Sequence, residues 1–129
     1  MIDPSRLRFT GTHEWVRHKG KTVVVGVAED AQVRQSDIIH VELPEPDEHH
    51  FEAGEDIAVI ESVKTSVDLH APVSGTVSAI NTKLLSHPEL INEEPYGDGW
   101  VVEMKPDSMA EIEELMTIDE YEDTLPEEE

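Results

Sequence analysis

Between residues 22 and 80 the apolar positions are mostly β-branched and come in short runs separated by turn-forming clusters. Runs of this length and composition predict β-strands. The predicted strands are residues 22–27, 38–43, 56–63, 67–71, 75–80 and, further along, 100–105. Residues 57–60 are apolar at both odd and even positions, which indicates burial on both faces. We therefore expect a mainly β fold, a flattened barrel or sandwich with a thin core.

Helical patterns are fewer. Residues 28–35 predict one or two turns, and residues 82–85 a short helix that ends before Pro88. The clearest helix is predicted over about residues 108–121, where apolar positions fall on one face. The closing residues 122–129 are mostly carboxylates with little apolar surface to offset ordering, so we expect them to fray.

Two cap signals accompany the C-terminal helix. Ser108 and Glu111 have capping-box spacing at its start. Thr117 and Glu120 repeat the same spacing and predict a second capped turn.

Composition and charge narrow the classes of partner. The chain has 129 residues, 37% of them apolar, which suits a single domain spanning residues 1–129 with a core over about residues 7–106. Thirty acidic residues against nine Lys plus Arg give a formal charge of −21. That charge repels phosphate backbones and anionic lipid surfaces, so we expect no nucleic acid and no membrane partner. It favours docking on basic patches of other proteins.

The composition argues against several classes of chemical site. The chain has no cysteine, which excludes a disulfide framework, a thiolate zinc site and a cysteine nucleophile, so any thiol chemistry requires an imported sulfur group. His49 and His50 are adjacent and lack a third ligand, so no metal site is predicted. No nucleophile–base pair can be identified, and no catalytic residue is expected. Without a signal-peptide pattern or membrane-length apolar run, the chain is expected in the cytoplasm.

The most informative lysine is Lys64. Gly54 lies ten residues before it and Gly75 eleven residues after it, with a predicted strand on each side. This near-symmetry predicts a hairpin with Lys64 at its tip, where a side chain reaches solvent. Glu61 and Asp68 nearby favour the charged amine, so the unmodified lysine would be a poor base and nucleophile. A covalent modification is therefore the expected use of this residue.

These residues resemble those of the glycine cleavage system H proteins. The segments that carry the resemblance occur in order along nearly the whole chain: Thr-His-Glu-Trp-Val at 12–16, Val-Glu-Leu-Pro-Glu at 41–45, Glu-Ser-Val-Lys at 61–64, Ala-Pro-Val-Ser-Gly at 71–75 and Asn-Glu-Glu-Pro-Tyr-Gly-Asp-Gly-Trp at 92–100. Five ordered matches at suitable spacing are a specific signal.

The resemblance implies a non-catalytic, monomeric carrier with lipoate attached covalently to Lys64. The implied lipoylation motif consists of the lysine and its neighbours Glu61, Ser62, Val63 and Thr65. The arm would carry the aminomethyl group of glycine between glycine decarboxylase, aminomethyltransferase and dihydrolipoyl dehydrogenase. A lipoate ligase or lipoyl transferase would attach the lipoate.

The resemblance further implies a shelter for the loaded arm on the carrier's own surface. The matching positions are Thr12, Glu14 and Asp68, whose oxygens can hold an alkylammonium by hydrogen bonds.

Departures from the family pattern leave alternatives open. They lie near the arm or the expected partner faces, at Asp30, Arg34, Ser36, Thr65 and the loop 46–50. One alternative is an H-like lipoyl carrier for another system, such as sulfur oxidation by a heterodisulfide-reductase-like complex, or lipoate relay. Biotin is a rival modification, but biotin carriers usually place methionine on both sides of the lysine. An unmodified acidic interaction module is a further alternative.

Overall fold

The computed structural model describes residues 7–10, 14–27, 38–43, 50–63, 66–94, 97–108 and 110–124. Within these ranges the protein is mainly β with short helices, which confirms the predicted fold class. The strands are β1 (Arg8–Phe9), β2 (Glu14–Lys19), β3 (Thr22–Val27), β4 (Ile38–Glu42), β5 (His50–Phe51), β6 (Asp56–Ser62), β7 (Ser66–His70), β8 (Gly75–Ile80) and β9 (Val102–Pro106). The helices are α1 (Lys83–Ser86), α2 (Leu90–Glu93), α3 (Ala110–Glu113) and α4 (Ile118–Thr124).

The strands form two antiparallel sheets. One has six strands in the order β1-β2-β3-β9-β8-β5, and the other has three in the order β4-β6-β7. The main core lies between the sheets, since it unites Val23 and Val25 of β3 with Val41, Ile60 and Leu69 of the smaller sheet. None of the helices in the described ranges is long and apolar enough to cross a bilayer.

A second apolar cluster packs the N-terminal strand against the last helix. Trp15 is fully buried there, opposite Gly26 in the β2–β3 register. A Cβ on Gly26 would lie 2.4 Å from the indole carbons, so only glycine leaves room for this ring. Phe9 stacks on Tyr121 with ring centroids 4.7 Å apart, which joins β1 to α4.

Most predicted strands agree closely with the structure. The predictions for 22–27 and 75–80 coincide with β3 and β8, and the other four differ at their ends by one or two residues. Strands β1, β2 and β5 were not predicted: β1 and β5 have two residues each, and β2 ends in Arg17, His18 and Lys19. Helix α1 matches the predicted helix at 82–85 with a shift of one residue, whereas α2 was not predicted. The helix predicted over 28–35 lies outside the described residues.

The C-terminal segment differs from the single helix expected over 108–121. It contains two helices, α3 and α4, because Met116 between them forms a β-bridge with Phe9 through reciprocal backbone hydrogen bonds of 2.8 and 2.9 Å. The cap predicted at Thr117 is confirmed, with bonds of 3.0 and 3.3 Å between it and Glu120. Helix α4 extends to Thr124, and residues 125–129 lie outside the described part, so the expected fraying of the tail stays a prediction.

The first predicted cap is not completed. The Ser108 hydroxyl accepts a hydrogen bond from the Ala110 amide at 3.3 Å. The Glu111 carboxylate instead accepts one from the backbone amide of Ser74 at 2.8 Å. Glu111 therefore ties α3 to the connection between β7 and β8.

Candidate functional site

The two strands on either side of the candidate lysine form an antiparallel pair. Val59 of β6 lies opposite Asp68 of β7, and the last pair before the connection is Glu61 with Ser66. On its other side β6 pairs with β4, where Ile38 lies opposite Ser62. Strand β6 is thus held on both edges up to the residue where the connection begins.

The predicted lipoylation motif is partly described. Glu61 and Ser62 end β6 in half-buried positions, and Val63 after them has 61% of its surface exposed. Lys64 and Thr65 lie outside the described residues. The structure therefore describes the strands that flank the lysine in the sequence, and not the amine.

Glu14, at the start of β2, is buried with 1% of its surface exposed. One carboxylate oxygen accepts a hydrogen bond from the Thr10 hydroxyl at 2.5 Å, and the other accepts one from the backbone amide of His70 at 3.1 Å. The Thr10 hydroxyl in turn accepts one from the Glu14 amide at 3.1 Å. These bonds offset the cost of burying the carboxylate. Thr12, proposed with it, lies outside the described residues.

His70 bridges two carboxylates, a role that the sequence did not indicate. Its Nδ1 lies 3.4 Å from Glu14 Oε2, and its Nε2 lies 3.2 Å from Asp56 Oδ1. Asp68, two residues earlier on β7, is exposed and shares a face with His70, since buried Leu69 between them points the opposite way. In the sequence, only the alternation of side chains along a strand could have indicated the place of His70, because it puts residues 68 and 70 on the same face.

An open cleft of about 350 Å³ lies beside Glu14 and His70, and Asp68 is not among the residues that line it. Glu14 and His70 contribute polar groups, Glu114 a further carboxylate, and Phe9 and Met116 an apolar wall. An apolar wall with carboxylates suits a small ammonium group carried on an apolar stem.

Of the adjacent histidines His49 and His50, the structure describes only His50. His50 Nε2 lies 2.8 Å from Asp107 Oδ2 on the surface, and His49 lies outside the described residues. The hydrogen bond to Asp107 is the main cause that raises the pKa of His50, and the charges of Asp107, Glu52 and Glu55 raise it further. Within the described ranges, no group of three or more His, Asp or Glu side chains is arranged to hold a metal ion.

Known proteins resemble this chain over nearly its whole length. The sequence profile described as "Glycine cleavage H-protein" matches residues 7–128. The glycine cleavage system H protein of Acinetobacter baylyi is 48% identical over 122 residues, covering 95% of this chain and 98% of that protein. The corresponding protein of Thermus thermophilus is 44% identical over 117 residues, 91% of each chain. The crystal structure of a glycine cleavage system H protein from Mycobacterium marinum superposes with a TM-score of 0.81 at 33% identity, covering 95% of this chain and 100% of that chain.

Proposed function

The chain belongs to the glycine cleavage H-protein family and is a lipoyl carrier of the glycine cleavage system, and we propose that Lys64 is the residue that bears the lipoyl group. The observation that carries the proposal is the β6–β7 pairing. Its last pair, Glu61 with Ser66, leaves four residues for the chain to reverse direction, and Lys64 is the only lysine among them. A connection of this kind is accessible to a modifying enzyme.

The surroundings described by the structure fit a covalent arm. Strand β6 is paired on both edges, so the base of the arm stands on a rigid support. Val63 and Ser66, on either side of the connection, are exposed. When attached, lipoate supplies a dithiolane that accepts the aminomethyl group of glycine and electrons by exchange at sulfur.

We further propose that Glu14 and Asp68 receive the ammonium of the aminomethyl cargo at the cleft beside His70. Ser66 and His70 are four residue steps apart on β7, about 13 Å of extended chain. An arm of about a dozen ångströms spans nearly the same length. Glu14 supplies a buried carboxylate and Phe9 an apolar wall at the cleft next to His70. Charge-assisted hydrogen bonds to an ammonium are strongest in such a site. Thr12, next to this region in the sequence, completes the proposed set.

The proposed partners are glycine decarboxylase, aminomethyltransferase and dihydrolipoyl dehydrogenase, with a lipoate ligase or lipoyl transferase for attachment. Membership of the glycine cleavage system supports this set. The net charge of −21 supports docking on basic surfaces around the clefts of these enzymes. The names of the relatives favour glycine cleavage over the sulfur-oxidation alternative. We also propose that the carrier is a single-domain cytoplasmic monomer that catalyses no step by itself.

Intact mass spectrometry tests the attachment. Incubation with a lipoate ligase, lipoate and ATP should add roughly 188 Da to the wild-type chain. Lys64→Arg should abolish the addition, whereas Lys105→Arg, at an exposed lysine of β9, should leave it unchanged. A full mass increase on Lys64→Arg would contradict the proposal.

A further inference from the structure

Three large apolar side chains are exposed among the described residues. They are Ile39, Val63 and Leu85, with 57%, 61% and 57% of their surfaces exposed. Isolated exposed apolar residues are ordinary on protein surfaces. These three are distinguished by their location. Ile39 lies on β4, Val63 directly follows β6, and Leu85 lies on α1, the helix that packs against β4.

The strand register brings the first two together. Ile38 lies opposite Ser62, and the pairing shifts at a bulge between Ile38 and His40, so Ile39 is the bulged residue. Val63 directly follows Ser62 and Ile39 directly follows Ile38, so both lie within one residue of the same Ile38–Ser62 pair. Ile38 is buried, and Ile39 after it points outward.

Leu85 belongs to α1, which packs against β4. Its neighbour Leu84 is fully buried in the main core, whereas Leu85 is turned to solvent. We name Ile39, Val63 and Leu85 the turn-side apolar surface, since Val63 immediately precedes Lys64 in the sequence.

We propose that the turn-side apolar surface is the docking surface for the enzyme that attaches lipoate, an inference that rests on Lys64 being the attachment site. In that step the lysine nitrogen bonds to the carbonyl carbon of a lipoyl adenylate, AMP leaves with the electron pair of the broken carbon–oxygen bond, and the nitrogen loses its proton. An unmodified lysine nitrogen extends only about 6 Å from its Cα. The attaching enzyme must therefore bring its acyl donor almost onto the β6–β7 connection, and its surface must contact the residues beside it.

Enzymes that act on the finished arm face a different constraint. The arm then extends about a dozen ångströms, so their clefts can accept the dithiolane from further away. Contact with Ile39 and Leu85 should accordingly matter more for attachment than for later steps. The turn-side apolar surface therefore serves the attachment of lipoate and not the later reactions of the arm.

The charges around this surface specify the occupant further. Glu61 lies two residues before Val63 and pairs with Ser66, and the chain as a whole has a formal charge of −21. The fitting occupant is an enzyme whose cleft mouth is apolar with a rim of Lys and Arg. An apolar centre ringed by polar contacts is the usual anatomy of a specific interface.

The test uses the full-length chain with Ile39→Thr and Leu85→Gln combined, which keep strand and helix propensity and leave the net charge unchanged. Ala110→Gln, at an exposed position of α3, is the matched control. Lipoylation by a purified lipoate ligase with lipoate and ATP is followed by intact mass. We expect kcat/KM to fall about tenfold or more for the double variant, mostly through KM, and to stay at the wild-type value for the control.

A second measurement separates docking from general damage. The double variant, lipoylated to completion by prolonged reaction, should be reduced by dihydrolipoyl dehydrogenase with NADH at the rate of the lipoylated wild type. Equal lipoylation rates for the double variant and the wild type would overturn this inference alone. Equal losses in both reactions would overturn its restriction to attachment. A wild-type chain that gains no mass would overturn the proposed attachment site, and this inference with it.

Discussion

The carboxylate of Glu14 accepts a hydrogen bond from the backbone amide of His70 at 3.1 Å, and this bond joins the six-stranded sheet to the three-stranded sheet. The same carboxylate oxygen faces the His70 ring, whose other nitrogen reaches Asp56. A buried charge thus links β2 to β7 at the cleft proposed for the cargo. The Thr10 hydroxyl and the His70 amide hold this carboxylate at the cleft where the cargo is proposed to bind.

Removal of the Thr10 hydroxyl should destabilise the fold. Thr10→Val keeps the shape of the side chain but takes a hydrogen bond from the buried Glu14 carboxylate, which should lower the free energy of unfolding by about 1 to 3 kcal/mol. Urea denaturation followed by circular dichroism measures the change. Thr22→Val is the matched control, since its hydroxyl donates to the more exposed Glu103. An equal loss in both variants would show that burial of Glu14 has no special effect.

Neutralising Glu14 should weaken the hold on the cargo. In the lipoylated chain loaded with the aminomethyl group, Glu14→Gln removes a charged acceptor for the ammonium, so spontaneous release of the cargo to water should become about tenfold faster. Ammonia release from the isolated loaded carrier measures this rate. Glu113→Gln, at an exposed position of α3, is the control for a change in net charge. Unchanged release from Glu14→Gln would remove this residue from the proposed shelter.

A methyl group at Gly26 should disturb the second core. The added Cβ would lie 2.4 Å from the ring of Trp15, so Gly26→Ala should lower the free energy of unfolding by about 1 to 3 kcal/mol. Tryptophan fluorescence during urea denaturation reports both the stability and the new ring environment. In Gly97→Ala the nearest atom is the end of the flexible Glu94 side chain at 3.1 Å, so a smaller effect is expected. Wild-type stability for Gly26→Ala would contradict the close packing of Trp15 on this glycine.

The His50–Asp107 pair should make a pH-dependent contribution to stability. Because the pKa of His50 is raised in the folded chain, chiefly by its hydrogen bond to Asp107, this contribution is complete below the ordinary value of 6.5. It is lost as the pH rises through the raised folded value. An NMR titration of the His50 ring should give a midpoint above 6.5, and Asp107→Asn should bring the midpoint back towards it. An unshifted midpoint in the wild type would contradict the pairing.

The strands around the lysine could be predicted because their signals are local. Runs of β-branched residues and the positions of Gly54 and Gly75 describe two extended segments on either side of Lys64, and the structure contains both. The Thr117–Glu120 cap was equally accessible, since its two residues lie within one helical turn.

Tertiary contacts decided the features that the sequence did not indicate. The two-residue strands β1 and β5 exist through pairing with β2 and β8, and their own propensity is too slight to predict them. The C-terminal helix is interrupted because Met116 finds its backbone partner in Phe9, more than a hundred residues away. Glu14 is buried because Thr10 and His70 approach it from separate segments of the chain. Local pattern carries information about each element alone, whereas burial and long-range hydrogen bonds depend on which elements the fold brings together.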